Sequence, residues 1–312
     1  MSTNILPRFR RPLAASLVTL TLICIPALSA LAQPLPLWRV SDGAGHTLYL
    51  AGSMHALKTD DYPLPAPFKT AFDHCRRLVE ELDLDALTPA QIQNAVTSFG
   101  MLPTGKTLAD AMGADWAQAQ KLAAKADINL EIYLPLKPWF AAVRISGQVF
   151  VAAGYIPSLG LDRHFANLAA QRKIPVIGLE TLDEQMGFFN DLRVSVQRQF
   201  LLQALEEVSH DKQELAGLHA AWRDGDMSAL AALADKDFAD YPKLRAGVLD
   251  DRNRRWLPVL ENCLSEDKGC YVVVGAEHMI GPNGLLALLG KAGFRVVQLQ
   301  AASAPPATSA GS

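Results

Sequence analysis

Hydrophobic positions follow two rhythms along this chain. Short apolar, β-favouring runs occupy residues 37–40, 47–50, 77–84, 174–180, 271–275 and 294–299. The first two, joined through Asp42-Gly-Ala-Gly45, read as a hairpin. A parallel strand covered on both faces reads as an unbroken apolar run, and Tyr271-Val-Val-Val274 has that form. Elsewhere apolar residues recur at helical spacing. Residues 67–75, 115–125, 138–153 and 162–171 read as helices, and Thr88-Pro89 opens another. Thr181, with Glu184 three residues on, starts a longer helical stretch. It runs to about Leu264, with breaks near Asp224-Gly-Asp226 and Tyr241-Pro242, and residues 285–291 form a last short helix. The pattern predicts an α/β fold with one central mixed sheet built from both chain ends and a large helical insertion.

Two strands end alike. Thr47-Leu-Tyr-Leu-Ala-Gly-Ser-Met-His55 and Tyr271-Val-Val-Val-Gly-Ala-Glu-His278 each break at a glycine and reach a histidine three residues later. Sites in α/β proteins form outside strand ends, so two equivalent ends can bring His55 and His278 into one crevice. The alternative is two ordinary strand-end histidines. Gly43 to His46 has the same spacing but no strand ahead of it. His46, His74, His164, His210 and His219 lack the strand context and read as surface residues.

Two further strand ends carry acids. Along residues 77–84 alternate side chains share a face, which pairs Glu81 with Asp83 and turns Glu80 away, with Leu78, Leu82 and Leu84. A strand covered on both sides would bury Glu81, and a buried carboxylate needs a partner or a metal. Glu81 is therefore the stronger candidate and Asp83 the second. Glu180 closes residues 174–180. In Asp250-Asp-Arg-Asn-Arg-Arg255, Arg252 is a candidate to orient a carboxylate or stabilise an oxyanion, with Asn253 beside it. Arg254 and Arg255 read as an exposed helix start. No Gly-x-Ser-x-Gly, His-Glu-x-x-His, dinucleotide or phosphate-loop motif occurs, which disfavours a serine hydrolase of the common kind.

Composition narrows the class. Arg8, Arg10 and Arg11, an apolar stretch to Leu28 and Ala30-Leu-Ala32 read as a signal peptide, residues 1–32, cleaved after Ala32. The apolar stretch falls short of the roughly 20 residues that span a bilayer. The expectation is a single domain, residues 33–300, periplasmic or secreted and free of the membrane after cleavage, with a disordered tail over 301–312. Losing three arginines and no acid takes the formal charge from −3 to −6, which argues against nucleic acid as a partner. Export permits disulfides. Cys263 and Cys270 bracket a polar turn and are the expected pair, and Cys75 is expected as a buried thiol. No Cys-x-x-Cys spacing supports a thiolate zinc site.

The segments Leu50-Ala-Gly-Ser-Met-His55, Leu78-Val-Glu-Glu-Leu-Asp83, Gly178-Leu-Glu-Thr181, Asp251-Arg-Asn253 and Val274-Gly-Ala-Glu-His278, in that order, resemble the TraB/GumN family, to which the Tiki-type proteases belong. The resemblance spans residues 37–299. It implies an erythromycin-esterase/ChaN-like α/β fold and a divalent-metal-dependent hydrolase; Tiki relatives cleave peptides with Mn²⁺ or Co²⁺. By motif match, His55, Glu81, Glu180 and His278 fall on the family's polar site positions, and Arg252 and Asn253 on its arginine-bearing helix. The Tiki proteins are membrane-anchored, whereas this chain reads as soluble, and no substrate carries over.

The function expected is an exported metal-dependent hydrolase acting on a peptide or small molecule. His55, His278 and Glu81 would be the metal ligands, and mixed N/O donors leave Mn, Co and Zn open. The metal would acidify a bound water, Glu81 or Glu180 would serve as base, and Arg252 would stabilise the oxyanion. Two other classes stand beside it. One is a metal-independent hydrolase with a histidine base. The other is a non-catalytic binder of haem, as in ChaN-like relatives, or of a peptide signal, as in some TraB-like proteins.

Overall fold

A computed structural model describes residues 32–301 apart from 210–211, 240 and 266–268. Residues 1–31 of the expected leader, 302–312 of the expected tail, and His210 lie outside the described residues. Six strands form one mixed sheet: β1 (Pro34–Ser41), β2 (Thr47–Ser53), β3 (Arg77–Glu80), β4 (Val176–Gly178), β5 (Cys270–Gly275) and β6 (Arg295–Gln300). Their order is β4-β3-β5-β2-β1-β6. β1 pairs antiparallel with β2 and with β6. The other four run parallel, β2 with β5, β5 with β3, and β3 with β4. The expected mixed sheet is therefore present, and β5 from the C-terminal end lies between β2 and β3.

The core explains why β5 can sit there. Leu48, Leu50, Leu78, Tyr271, Val272 and Val274 are fully buried, as unbroken apolar strands require. Phe72 on the helix Ala66–Asp73 and Phe165 on the helix Leu161–Arg172 both pack against the Tyr271 ring. The helical insertion has a core of its own, with Leu108, Met112, Tyr133, Ile145, Leu201 and Leu205 buried together. Among the described residues no helix is long and apolar enough to cross a membrane.

Three local expectations change. The strand expected over 77–84 stops at Glu80. Glu80 and Glu81 offer their carbonyls to the N–H groups of Leu179 and Glu180. The chain then turns, and the Asp83 carboxylate caps the N–H of Ala86 at the short turn Leu84–Ala86. Asp83 thus has a local structural task. His219 is no surface residue: its Nε2 lies 2.8 Å from Asp61 Oδ1, and the two side chains are 12% and 2% exposed. Tyr155 and Trp222 pack against its ring. Cys263 and Cys270 lie at disulfide distance, with Cα atoms 5.7 Å apart. They tie the end of the helix Asp251–Leu264 to the start of β5. Cys75 is a buried free thiol that donates to the Ala71 carbonyl.

Candidate functional site

The four parallel strands end on one side of the sheet, and each end delivers one side chain. His55 follows β2, Glu81 follows β3, Glu180 follows β4, and His278 sits on the short turn Ala276–Met279 after β5. Parallel strands diverge into loops at their C-terminal ends, which leaves a crevice there. A fifth element enters from the side. Along the helix Asp251–Leu264 the buried positions are Arg252, Asn253, Trp256, Leu260, Cys263 and Leu264, the stripe of an amphipathic helix. Its apolar part packs on the core, and its first turn carries Arg252 and Asn253 into the crevice, 5% and 1% exposed. Arg254 and Arg255 point to solvent, as expected.

The two motif glycines serve different ends. A Cβ on Gly52 would lie 3.2 Å from the Ala276 Cα, so Gly52 lets the ends of β2 and β5 approach closely. A Cβ on Gly275 would lie 3.4 Å from Glu81 Oε1 and 3.5 Å from His55 Nε2. Its bare backbone keeps the floor of the site open, and its N–H donates to Glu81 Oε1 at 2.8 Å.

Arg252 is the hub. Nη2 donates to Glu81 Oε2 at 2.6 Å and to Glu180 Oε1 at 2.5 Å, and Nε donates to Glu180 Oε2 at 3.2 Å. Nη1 donates to the Val248 carbonyl and faces His278 Nε2, each at 3.2–3.3 Å. A guanidinium has five N–H groups, and all five are engaged. Glu180 also accepts from Gln185 Nε2 at 2.9 Å and from Trp256 Nε1 at 3.3 Å.

The two histidines differ in protonation. Asn253 Nδ2 donates to the carbonyls of His278 and Asn283, so its Oδ1, 2.7 Å from His278 Nδ1, must accept. The proton is thereby assigned to Nδ1, and Nε2 keeps a lone pair. Burial, opposed by Glu81 and aided by the charges of Arg252 and His55, takes His278 down to about 3, so the ring is neutral. His55 lies at the mouth with 62% of its side chain exposed. Enclosure by the site walls works against its charge. The hydrogen bond and charge of Asp162, 3.3 Å from Nδ1, with Glu81 beyond, outweigh that and lift the ring to about 9. Its open face to solvent makes the desolvation the weaker influence. Ser53 Oγ donates to Asp162 Oδ1 at 2.8 Å and holds it in place. Burial also works against charge on Glu81, but the surrounding imidazoles, the Arg252 guanidinium and the Gly275 N–H hold its carboxyl well below the usual range. With His278 neutral, Arg252 and His55 supply the positive charge.

The structure thus brings His55, Glu81, Glu180, Arg252, Asn253 and His278 together. Sequence reasoning missed Asp162, Ser53, Gln185 and Trp256. Asp162 looks like any acid in a first helical turn, and only Trp256, four residues after Arg252 on one stripe, gave a usable signal. Glu80 is not turned away from Glu81. Because β3 ends between them, both line the same cleft. Glu80 is 7% exposed, and burial with the charges of Asp162, Asp83 and Asp85 pushes its carboxyl up to about 8.

The donors suit a divalent cation in chemistry. Both imidazoles have Nδ1 tied to a second residue, and both Nε2 atoms face Glu81 Oε1, each at 3.9 Å. Such outer partners are what orients ligating histidines. Ligands at ~2.1 Å from a tetrahedral ion stand about 3.4 Å apart, so the pairs are wider than a closed site. Among the described residues no group of three His, Cys, Asp or Glu is close enough to hold an ion as it stands. Closing the site needs a turn of the exposed His55 ring, a closer approach of His278 to Glu81, and release of His278 Nε2 from Arg252 Nη1.

These features define an α/β protein with a polar site at the ends of parallel strands. The chain belongs to the TraB/PrgY/gumN family, whose pattern it matches over residues 36–298. No curated protein and no solved structure matches it.

Proposed function

We propose that this chain is an exported, metal-dependent hydrolase that cleaves peptides. The observation that carries the proposal is the convergence of two anchored imidazoles, through their Nε2 atoms, on one oxygen of Glu81. His55, once it gives up its proton, would hold the cation with His278 and Glu81, with Mn, Co and Zn all compatible with N/O donors. A bound cation supplies an acidified water and polarises a carbonyl. The chain's own residues do the rest. Asn253 fixes the His278 tautomer, and Asp162 with Ser53 orients His55. Arg252 keeps Glu81 ionised and holds Glu81 and Glu180 in place; the Nη1 N–H that faces His278 Nε2 would be left for a developing oxyanion once that nitrogen holds the cation. Glu180 accepts four hydrogen bonds, which fills a carboxylate. Glu81 Oε1 is the carboxylate oxygen that faces both imidazoles. The Cys263–Cys270 pair supports an oxidising compartment, and N-terminal sequencing of exported protein should begin at Gln33.

One observation favours a second reading. A carboxylate 3.3 Å behind His55 Nδ1, with the rest of the ring facing the open mouth, is the layout of a metal-independent acid–base pair.

The test is exhaustive chelation of the purified protein, metal add-back, and a peptide-library digest read by mass spectrometry. Turnover should vanish and return with metal. His55→Ala and His278→Ala should lose metal and turnover with the circular dichroism spectrum unchanged. Glu81→Gln should lower metal occupancy about 10-fold or more. Turnover that survives chelation would establish the second reading, and wild-type turnover in both histidine variants would remove the site.

A further inference from the structure

A cleft of about 180 Å³ opens beside His55 and Glu81, lined among others by Glu80, Asp83, Leu84, Asp85, Asp162 and Arg163. Whole small-molecule ligands occupy roughly 300–1,000 Å³, so this space suits one side chain of a larger substrate. Its acids are not all compensated. Asp162 is held by Ser53 and faces His55. Asp85 pairs with Arg163 at 2.8 Å. Asp83 accepts the N–H of Ala86. Glu80 is 7% exposed and its Oε1 has no hydrogen-bond partner among the described residues. A buried polar oxygen without a partner is costly and calls for an explanation. Glu80 is one of the residues that line the cleft, which also carries apolar surface from Leu82, Leu84, Ala166 and Val176.

We propose that this cleft is a specificity subsite for a basic side chain, lysine or arginine, of a peptide substrate. The charged head would sit on Glu80, with Asp83 beside it, and the aliphatic stem would lie along Leu84 and Val176. Long basic side chains divide their surface in this way, apolar stem and polar tip. A bound head supplies the hydrogen-bond donor that Glu80 Oε1 lacks. The proposal rests on the hydrolase reading for the fate of the bound peptide, and on the cleft alone for the binding.

The test uses blocked alanine pentapeptides carrying lysine, arginine or norleucine at each position in turn. Their binding to the purified mature protein, metal-free, is measured by calorimetry. Lysine or arginine should bind at least about 10-fold tighter than norleucine at one position, since charge complementarity in a cleft governs partner choice. Glu80→Gln should reduce that preference to within about two-fold, and Asp83→Asn, at the rim, should reduce it partly, with folding checked by circular dichroism. If Glu80→Gln does not fold, Asp83→Asn decides. Equal binding of norleucine at every position, no binding of any peptide, or a preference unchanged in the variants would overturn the proposal. A basic preference without cleavage leaves this inference standing and removes the hydrolase; cleavage without the preference does the reverse.

Discussion

Asn253 determines which nitrogen of His278 carries the proton. Its amide group is engaged by two backbone carbonyls, and its Oδ1 stands 2.7 Å from His278 Nδ1. Asn253→Ala should free the ring to adopt the other tautomer. Turnover should fall about 10–100-fold, the scale of lost outer-layer support at such sites. Nitrogen NMR of the His278 ring should show mixed tautomers where the parent shows one. An unchanged ring signal would refute the assignment.

Arg252 is a countercharge shared by two enclosed carboxylates, Glu81 and Glu180, whose side chains are 13% and 5% exposed. Arg252→Gln should cost about 3–5 kcal/mol in urea unfolding, as when one partner of a buried pair is removed. Arg252→Lys should recover little, because an ammonium cannot reproduce the planar fork. A loss below ~1 kcal/mol for Arg252→Gln would mean that the carboxylates find other support.

Two glycine substitutions should separate folding from function. Gly275→Ala places a methyl at ordinary contact distance from Glu81 and His55. The melting temperature should hold, while metal binding and turnover fall because the floor of the site is filled. Gly160→Ala would put its Cβ 2.4 Å from the His55 carbonyl oxygen. Backbone must move there, so a loss of about 1–3 kcal/mol is expected from overpacking, with Asp162 drawn away from His55. Equal behaviour of the two variants would contradict these contacts.

The Asp162–His55 pair makes stability depend on pH. The imidazole rises from 6.5 to about 9 in the folded chain. A raised folded value means that the contribution is full below about 6.5 and is lost as pH rises through about 9. The unfolding free energy of metal-free protein should therefore decline over that window relative to Asp162→Asn, modestly, because the ring is largely exposed. A gap between the two proteins that widens toward pH 9 would show the wrong sign.

Cys75 should be inert in the folded chain. Burial takes its thiol up to about 12, and thiolate is the reactive form. Iodoacetamide at pH 8 should leave native protein unlabelled. Mature protein unfolded without reductant should gain one label, at Cys75, with Cys263 and Cys270 recovered as one linked peptide. Labelling of either in that experiment would break the pair.

Much of the architecture could be read from local pattern. The parallel strands announce themselves as unbroken apolar runs, because a strand covered on both faces has no polar side to show. The ends at Gly52 and Gly275 mark the two histidines for the same reason: chain leaves the sheet where the apolar run breaks. Glu81, Glu180 and Arg252 were found through chemistry, since charge beside apolar sequence needs a partner. The helical stripe from Arg252 to Leu264 is likewise periodic, and it buries the residues its spacing says it should.

What remained depends on contacts between distant segments. Nothing local states that β5 inserts between β2 and β3, yet that insertion sets His278 beside His55. Alternation along 77–84 separated Glu80 from Glu81 on the assumption of a continuing strand. Pairing with Leu179 and Glu180 and the Asp83 cap end the strand early and bring both acids to one cleft. Asp162 reaches His55 because Gly160 lets its helix approach that backbone, and His219 is drawn in by Asp61, Tyr155 and Trp222. Periodicity and strand ends are properties of neighbours in sequence. The partner of a charge is a property of neighbours in space, which folding alone selects.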